Sequence, residues 1–202
     1  MPIDPRELRR CLGHFTTGVT VITCRGDDGA PHGATVNAFT AVSLQPPLVL
    51  VSLDRRSRLC ALLERRAFTV NVLESAQKDL ALHFAGRPNQ DVVWADDSDV
   101  GAPQLAGVLA DISCTPWRHY DGGDHVLYLG EVQRFRIHAG RPLLFHTGKF
   151  HHLGGDHDPL LWDGSADGPG GVSWFPRTVG PLASPTGPTD HSPDRRTTRS
   201  RG

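Results

Sequence analysis

Thr35, Asn37, Thr40 and Ser43 lie at short spacing in Gly33-Ala-Thr-Val-Asn-Ala-Phe-Thr-Ala-Val-Ser-Leu-Gln-Pro-Pro47. Their hydroxyls and amide can bond a phosphate or the polar edge of a ring. The small residues between them let a ligand approach the backbone. An apolar run, Leu48 to Leu53, follows the two prolines, and a second polar cluster, Asp54-Arg55-Arg56-Ser57, follows that. Polar clusters on both sides of one buried strand point to a phosphorylated, ring-bearing cofactor. Ser57 can cap a helix whose N-terminus attracts phosphate, and an arginine there adds charge-assisted bonds. The plainer alternative is a polar turn between strands, then a strand end and a capped helix.

Other chemistries find little support. There is no G-x-G-x-x-G, P-loop or G-x-S-x-G, so any dinucleotide site is not of the Rossmann type. His146, His151, His152 and His157, with Asp156 and Asp158, crowd a short stretch but match no H-E-x-x-H spacing, and no metal is expected. Gly123-Asp124-His125 places a histidine at a hairpin edge, where it either satisfies local structure or meets a ligand. Cys11, Cys24, Cys60 and Cys114 are widely spaced with no C-x-x-C, which suits reduced thiols; the last three read as core.

These residues need a scaffold, and β-structure dominates the pattern. Asp4-Pro5-Arg6-Glu7 opens a short helix, with Asp4 as N-cap and Pro5 at the first position. Thr17 to Cys24 is a β-branched strand, Gly26 to Gly29 a turn, and Pro31 to Val36 the returning strand. Leu48 to Leu53 and Ala67 to Leu73 are strands, with a helix capped by Ser57 between them. Ser75 caps a further helix carrying Leu80, Leu82, His83 and Phe84. A polar loop, Gly86 to Gly101, contains Trp94. Val108 to Tyr120 and Val126 to His138 form a long hairpin, and Pro142 to His151 ends the ordered pattern. About seven hairpin-linked strands with two or three helices predict a mainly β fold, a closed antiparallel barrel with helices outside.

The chain of 202 residues suffices for one domain with a sizeable core, and its net charge of −1 favours neither nucleic acid nor an anionic membrane. The N-terminus is charged and lacks the apolar stretch of a signal peptide, and no run approaches a membrane span. A cytoplasmic protein is expected. Residues 1–153 form the expected domain. From 154 to 202 Gly, Pro, Asp, Ser and Thr dominate, as in a disordered tail. Val172-Ser-Trp-Phe-Pro176 is a docking segment or plain linker. Trp117 and Tyr120 are expected on the barrel surface or at a dimer contact.

Phe15-Thr-Thr-Gly-Val-Thr-Val-Ile-Thr23, the Gly33 to Pro47 stretch, Gly123-Asp-His125 and Pro142-Leu-Leu-Phe-His-Thr-Gly-Lys-Phe-His-His-Leu153 occur in this order. Together they resemble the short-chain flavin reductase family, the reductase components of two-component flavin-dependent monooxygenases. The resemblance covers about residues 5 to 153. It implies an FMN-binding split β-barrel, a homodimer, and hydride transfer from NADH or NADPH to FMN or FAD. Cofactor-contacting positions map to Thr35, Val36, Asn37, Ala38, Phe39 and Thr40. Others map to Ser52, Leu53, Asp54, Arg56 and Ser57, with Phe84, Arg87, His146 and Phe150 also implied. Gly123 and Asp124 complete the motif of His125, the one residue given a catalytic role toward nicotinamide. Phe150 and His151 would line the nicotinamide face. After Arg87 the sequence departs from the family's basic-acidic-Arg-Phe pattern.

Hydride transfer between two stacked rings asks the protein to hold one cofactor, leave a ring face open and exclude water. That accounts for the lack of a catalytic triad. The expected activity is an NAD(P)H:flavin oxidoreductase that passes reduced flavin to a separate monooxygenase. The alternatives are an FMN-binding electron-transfer or storage module, or an oxidase acting on an organic substrate over tightly held FMN.

Overall fold

The computed structural model describes residues 2–89, 91–95 and 101–154. The expectations for the tail beyond residue 154 and for Val172 to Pro176 lie outside the described residues.

Helix α1 (Pro5–Leu12) starts as expected, with the Asp4 carboxylate accepting the Arg6 amide at 2.8 Å and Pro5 at the first position. The first strand divides into β1 (Thr17–Gly18) and β2 (Thr20–Arg25). The break falls at Val19, whose amide turns to the Leu143 carbonyl at 3.2 Å. β3 (Pro31–Val36) returns along β2 in the expected hairpin. β4 (Phe39–Leu44) and β5 (Pro47–Asp54) form the next hairpin. Helix α2 (Arg58–Leu63) is capped by Ser57, whose hydroxyl accepts the Leu59 amide at 3.3 Å. β6 (Phe68–Val72) and helix α3 (Lys78–Phe84) lead to the long hairpin of β7 (Ala110–Gly122) and β8 (His125–Ile137). β9 (Leu143–His146) and β10 (Lys149–His152) close the described chain.

Two expectations need correction. Ser75 does not cap α3: its hydroxyl donates to Glu74 at 2.5 Å, and the helix begins later, after Gln77, with no side-chain cap. A neighbouring carboxylate is the stronger acceptor and fixes the serine rotor. Among the described residues the strands number ten rather than about seven, because the first and last expected strands each divide and β4 is added. Trp94 is half-buried and bridges to Leu105.

Seven strands pair antiparallel in the order β3-β2-β6-β7-β8-β5-β4, and β1-β9-β10 form a smaller antiparallel sheet. The two edge strands of the larger sheet, β3 and β4, are consecutive in the chain and joined only by Asn37 and Ala38. No ladder runs between them among the described residues, so the sheet is not sealed by hydrogen bonds.

Both faces of β2 are buried, because alternate side chains enter two cores. Ile22 and Cys24 join Val51, Phe68, Val70, Tyr128 and the α2 residues Leu59 and Leu63. Val21 joins Leu73, Leu80, Ala81, Leu105 and Leu143 under α3. Each fully buried large apolar side chain here contributes about 1.5–3 kcal/mol. Beside the second core a polar network ties residues 102–105 to the sheet. Asn71 donates to the Val21 carbonyl and accepts the Leu105 amide, both at 2.9 Å. The Thr23 hydroxyl donates to the Pro103 carbonyl at 2.5 Å, and Gln104 donates to Ser113 at 3.0 Å. Asp111, 1% exposed, accepts Arg136 Nε–H at both carboxylate oxygens, at 3.0 and 3.1 Å, while an Arg136 terminal nitrogen donates to Gln104.

Candidate functional site

Register brings the two polar clusters and the Gly-Asp-His turn together. The Ser52 amide donates to the Ala38 carbonyl at 3.0 Å, and Phe39 pairs with Val51, which sets the start of β4 against the end of β5. On the other side of β5, Ser52, Leu53 and Asp54 pair with Leu127, Val126 and His125 of β8. Residues 37–40, 52–57 and 123–125 therefore share one end of the sheet. At the same end Thr20 pairs with both Val36 and Val72. From there Val19, Leu73 and Leu143 link backbone to backbone and carry the chain into the small sheet that bears His146 and Phe150.

The side chains of this set divide by role. Val36 and Leu53 are buried in the first core and Phe39 packs against it, so Val36 and Leu53 can offer a ligand only backbone. The Thr35 hydroxyl donates to the Ala81 carbonyl at 2.6 Å and pins α3. The Asn37 amide and Ser52 hydroxyl make no hydrogen bond to a described side chain or backbone group. They are the uncommitted polar groups at the crossing of β4 and β5.

Asp54 and Arg56 form a closed pair. Arg56 donates its amide at 2.8 Å and its guanidinium at 2.6 and 3.0 Å to the Asp54 carboxylate. These bonds hold the Asp54 carboxyl well below the usual carboxylate range. The pair is neutral overall, and the exposed guanidinium keeps further donors for an incoming anion.

Asp124 accepts from His125 Nδ1 at 2.7 Å. That bond and the imidazole charge lower the Asp124 carboxyl, while burial and the Asp54 charge act against them. An ionised carboxylate only accepts, so Nδ1 carries a proton in this contact and Nε2 is left for other partners. Gly123 takes a left-handed φ of 77°, which the turn requires, and donates its amide to Asp121 at 3.0 Å.

Arg55 belongs to the second polar cluster in sequence, but its bonds run to the hairpin turn. Its amide donates to the Asp124 carbonyl at 3.1 Å and its Nε to the Gly123 carbonyl at 2.7 Å. Its terminal nitrogen also meets the Asp121 carboxylate. Those partners lie 66 and 68 positions along the chain, beyond any local sequence signal.

Phe84 lies near Gly33 and not near Asn37. Thr35 bonds Ala81, and a side-chain carbon on Gly33 would stand 2.7 Å from the Phe84 ring. Helix α3 thus runs back along β3 toward its start, and Arg87, past the helix end, donates its amide to the Leu82 carbonyl at 3.1 Å. His146 accepts or donates at 2.9 Å with the Thr16 hydroxyl and lies edge-on to His14 and His151. Phe150 stacks edge-on against Phe145, with ring centres 5.5 Å apart, and both pack on the second core. Trp117 and Tyr120 are exposed on β7, and Cys24, Cys60 and Cys114 are buried.

The donor set fits a phosphorylated, ring-bearing cofactor. Free amide and hydroxyl groups lie at Asn37 and Ser52, spare guanidinium donors at Arg56, and one imidazole nitrogen faces outward at His125. The fold is an antiparallel β protein, not a Rossmann domain, that gathers these polar groups at one end of its larger sheet. The chain belongs to the family described as flavin reductase like domain, which matches residues 12–154. An NADH-dependent flavin reductase of Rhodococcus sp is 38% identical over 75% of this chain and 88% of its own. The reductase subunit HsaB of a flavin-dependent monooxygenase from Rhodococcus jostii is 43% identical over 73% of this chain and 77% of its own. Among solved structures, the Streptomyces globisporus NADH:FAD oxidoreductase SgcE6 in complex with NAD and FAD fragments superposes with a TM-score of 0.71. It is 39% identical and covers 78% of this chain and 99% of that one.

Proposed function

We propose that the protein is an NADH-dependent flavin reductase that transfers hydride to FMN or FAD and passes reduced flavin to a separate monooxygenase. The observation that carries this reading is the convergence of residues 37–40, 52–57 and 123–125 on one end of β5, in a member of the flavin reductase family. The names of the relatives support NADH as donor, flavin as acceptor and a monooxygenase as consumer.

Bound flavin supplies the two-electron acceptor. Asn37, Ser52 and the backbone of Val36, Ala38 and Leu53 present donors and acceptors to the ring edge. Thr40, Ser57 and the spare Arg56 donors serve the phosphate, with Asp54 keeping Arg56 in place. His125, oriented by Asp124, meets the nicotinamide carboxamide through Nε2. Phe150 and His146, on the adjoining small sheet, are proposed to border the nicotinamide. Phe84, Arg87 and Thr35 belong to this proposal through the family resemblance, with Thr35 and Phe84 also fastening α3 to β3.

The finer architecture is a split barrel closed around the first core, which the direct β3–β4 link and the core drawn from all sides support. A homodimer is proposed as well. The exposed Val42, Leu44, Trp117, Tyr120, Phe135 and Ile137 are apolar surface of the kind a second copy would cover. A cytoplasmic location agrees with the four free cysteines and with nicotinamide dependence. Among the described residues no helix is long and apolar enough to cross a membrane.

The test is steady-state oxidation of NADH and NADPH by the purified chain with added FMN or FAD. Turnover that saturates with free flavin is expected; flavin retained through gel filtration without turnover would overturn the reading. The domain proposal, 1–153 as the reductase and 154–202 as a dispensable tail, is tested by truncation after Leu153. Full flavin reduction is expected from the shortened chain.

A further inference from the structure

We infer that Arg55 is a positioning residue: it fastens the Gly123-Asp124-His125 turn to the end of β5 and so fixes where His125 stands over the cofactor cleft. The inference rests on the reading that His125 meets the nicotinamide.

Three groups of Arg55 reach three successive parts of the same turn. The backbone amide holds the Asp124 carbonyl and Nε holds the Gly123 carbonyl, at 3.1 and 2.7 Å. The terminal nitrogen holds the Asp121 carboxylate. Asp121 is shared: while one oxygen takes Arg55, the other takes the Gly123 amide at 3.0 Å. Asp124, the next residue, orients His125 through the 2.7 Å contact to Nδ1. A continuous set of bonds thus runs from Arg55 through Asp121 and Gly123 to the residue that sets the imidazole.

Such a clamp is needed here for a physical reason. The turn is an exposed hairpin tip, and Gly123 has open space around its Cα. Glycine in a left-handed turn leaves the tip free to choose other backbone states. Pairing with β5 ends at Asp54 and His125, and the hairpin's own ladder ends at Gly122 and His125, so Gly123 and Asp124 lie outside both ladders. Arg55 is the first residue past that last pair and supplies the missing restraint. Its planar fork can serve a carbonyl and a carboxylate at once, which a lysine ammonium on a flexible stem does less well. Neighbouring Arg56 points elsewhere, to Asp54, so the two consecutive arginines divide between the turn and the cofactor cluster. One residue thus ties the end of β5 to the Gly123-Asp124-His125 turn.

The test compares Arg55→Met and Arg55→Lys with the unaltered chain, alone and combined with His125→Ala. The first readout needs no cofactor: amide hydrogen exchange of the hairpin tip. Arg55→Met should speed exchange at Gly123, whose acceptor Asp121 is released, by roughly tenfold, while the amides of β6 are unchanged. The second readout is kinetic. Arg55→Met should lower kcat/KM for NADH by about tenfold with flavin KM within about twofold, and Arg55→Lys should recover part of it. In the His125→Ala background the same substitution should cost less than about twofold, because it acts through His125. A full loss in that background, an equal loss of flavin affinity, or unchanged exchange at Gly123 would overturn the inference. If His125→Ala by itself leaves NADH kinetics unchanged, the role of His125 fails instead, and the exchange result still decides whether Arg55 clamps the turn.

Discussion

Asp54 and His125 stand directly opposite each other as the last ladder pair of β5 and β8. Each is tied to a residue just outside its own strand, Asp54 to Arg56 and His125 to Asp124. The end of one strand pair therefore holds a carboxylate-bound guanidinium and a carboxylate-bound imidazole side by side, the groups that the proposed function assigns to phosphate and to nicotinamide.

His125→Ala should lower kcat/KM for NADH by roughly tenfold to a hundredfold, the range for losing one oriented hydrogen-bonding group at a reacting pair. Flavin KM should change by less than about threefold, because the groups proposed to hold the flavin lie on or beside β4 and β5. Steady-state kinetics with each substrate varied separately will check this. Equal losses for both substrates would remove His125 from its proposed place.

Asn71→Ala should destabilise the fold by roughly 2–3 kcal/mol, since it leaves the Leu105 amide and the Val21 carbonyl without their buried partner. The loss should appear in urea unfolding as a lower midpoint. Residues 102–105 should become the first segment to lose hydrogen-exchange protection, because Asn71 and Thr23 hold them to the sheet.

The cysteines should separate sharply on labelling with a thiol reagent at neutral pH. Cys11 is exposed and should react at once. Burial pushes the Cys24 thiol up to about 11 and the Cys114 thiol up to about 12, so neither forms thiolate near neutrality. Cys60 is buried against the Tyr128 hydroxyl at 3.2 Å and should wait for unfolding with the other two. One fast thiol in the native chain and four in denaturant is the expected result.

Acid should weaken the protein through Asp54 and Asp124. Both carboxyls are held below their ordinary value, chiefly by hydrogen bonds from Arg56 and His125. A lowered folded value means the unfolded chain takes up protons first. The stabilisation is complete above about pH 4, the ordinary carboxylate value, and is lost as the pH falls below it. Asp54→Asn should flatten the acid limb of a stability-against-pH curve and leave the neutral region nearly unchanged.

Local chemistry in the sequence determined much of the scaffold. Asp4 and Ser57 cap their helices because the amides they accept lie two residues on. β2, β3, β5, β6, β7 and β8 follow from β-branched and alternating runs between turns. The ordered motifs also carried the family. β4 was not legible, because its side chains are mostly exposed and its hydroxyls read as a ligand loop. Ser75 was misjudged because Glu74, beside it, competes for its hydroxyl.

Only the tertiary structure decided which polar groups are free and which are committed. Thr35 and Asn37 look alike in the sequence, yet Thr35 bonds Ala81, 46 positions away, while Asn37 remains open. Arg55 and Arg56 are adjacent, yet one reaches the Gly123 turn and the other Asp54. Hydrogen-bond partners of this kind are set by strand register over long separations. Register depends on how both cores fill, and no local window of sequence contains that information.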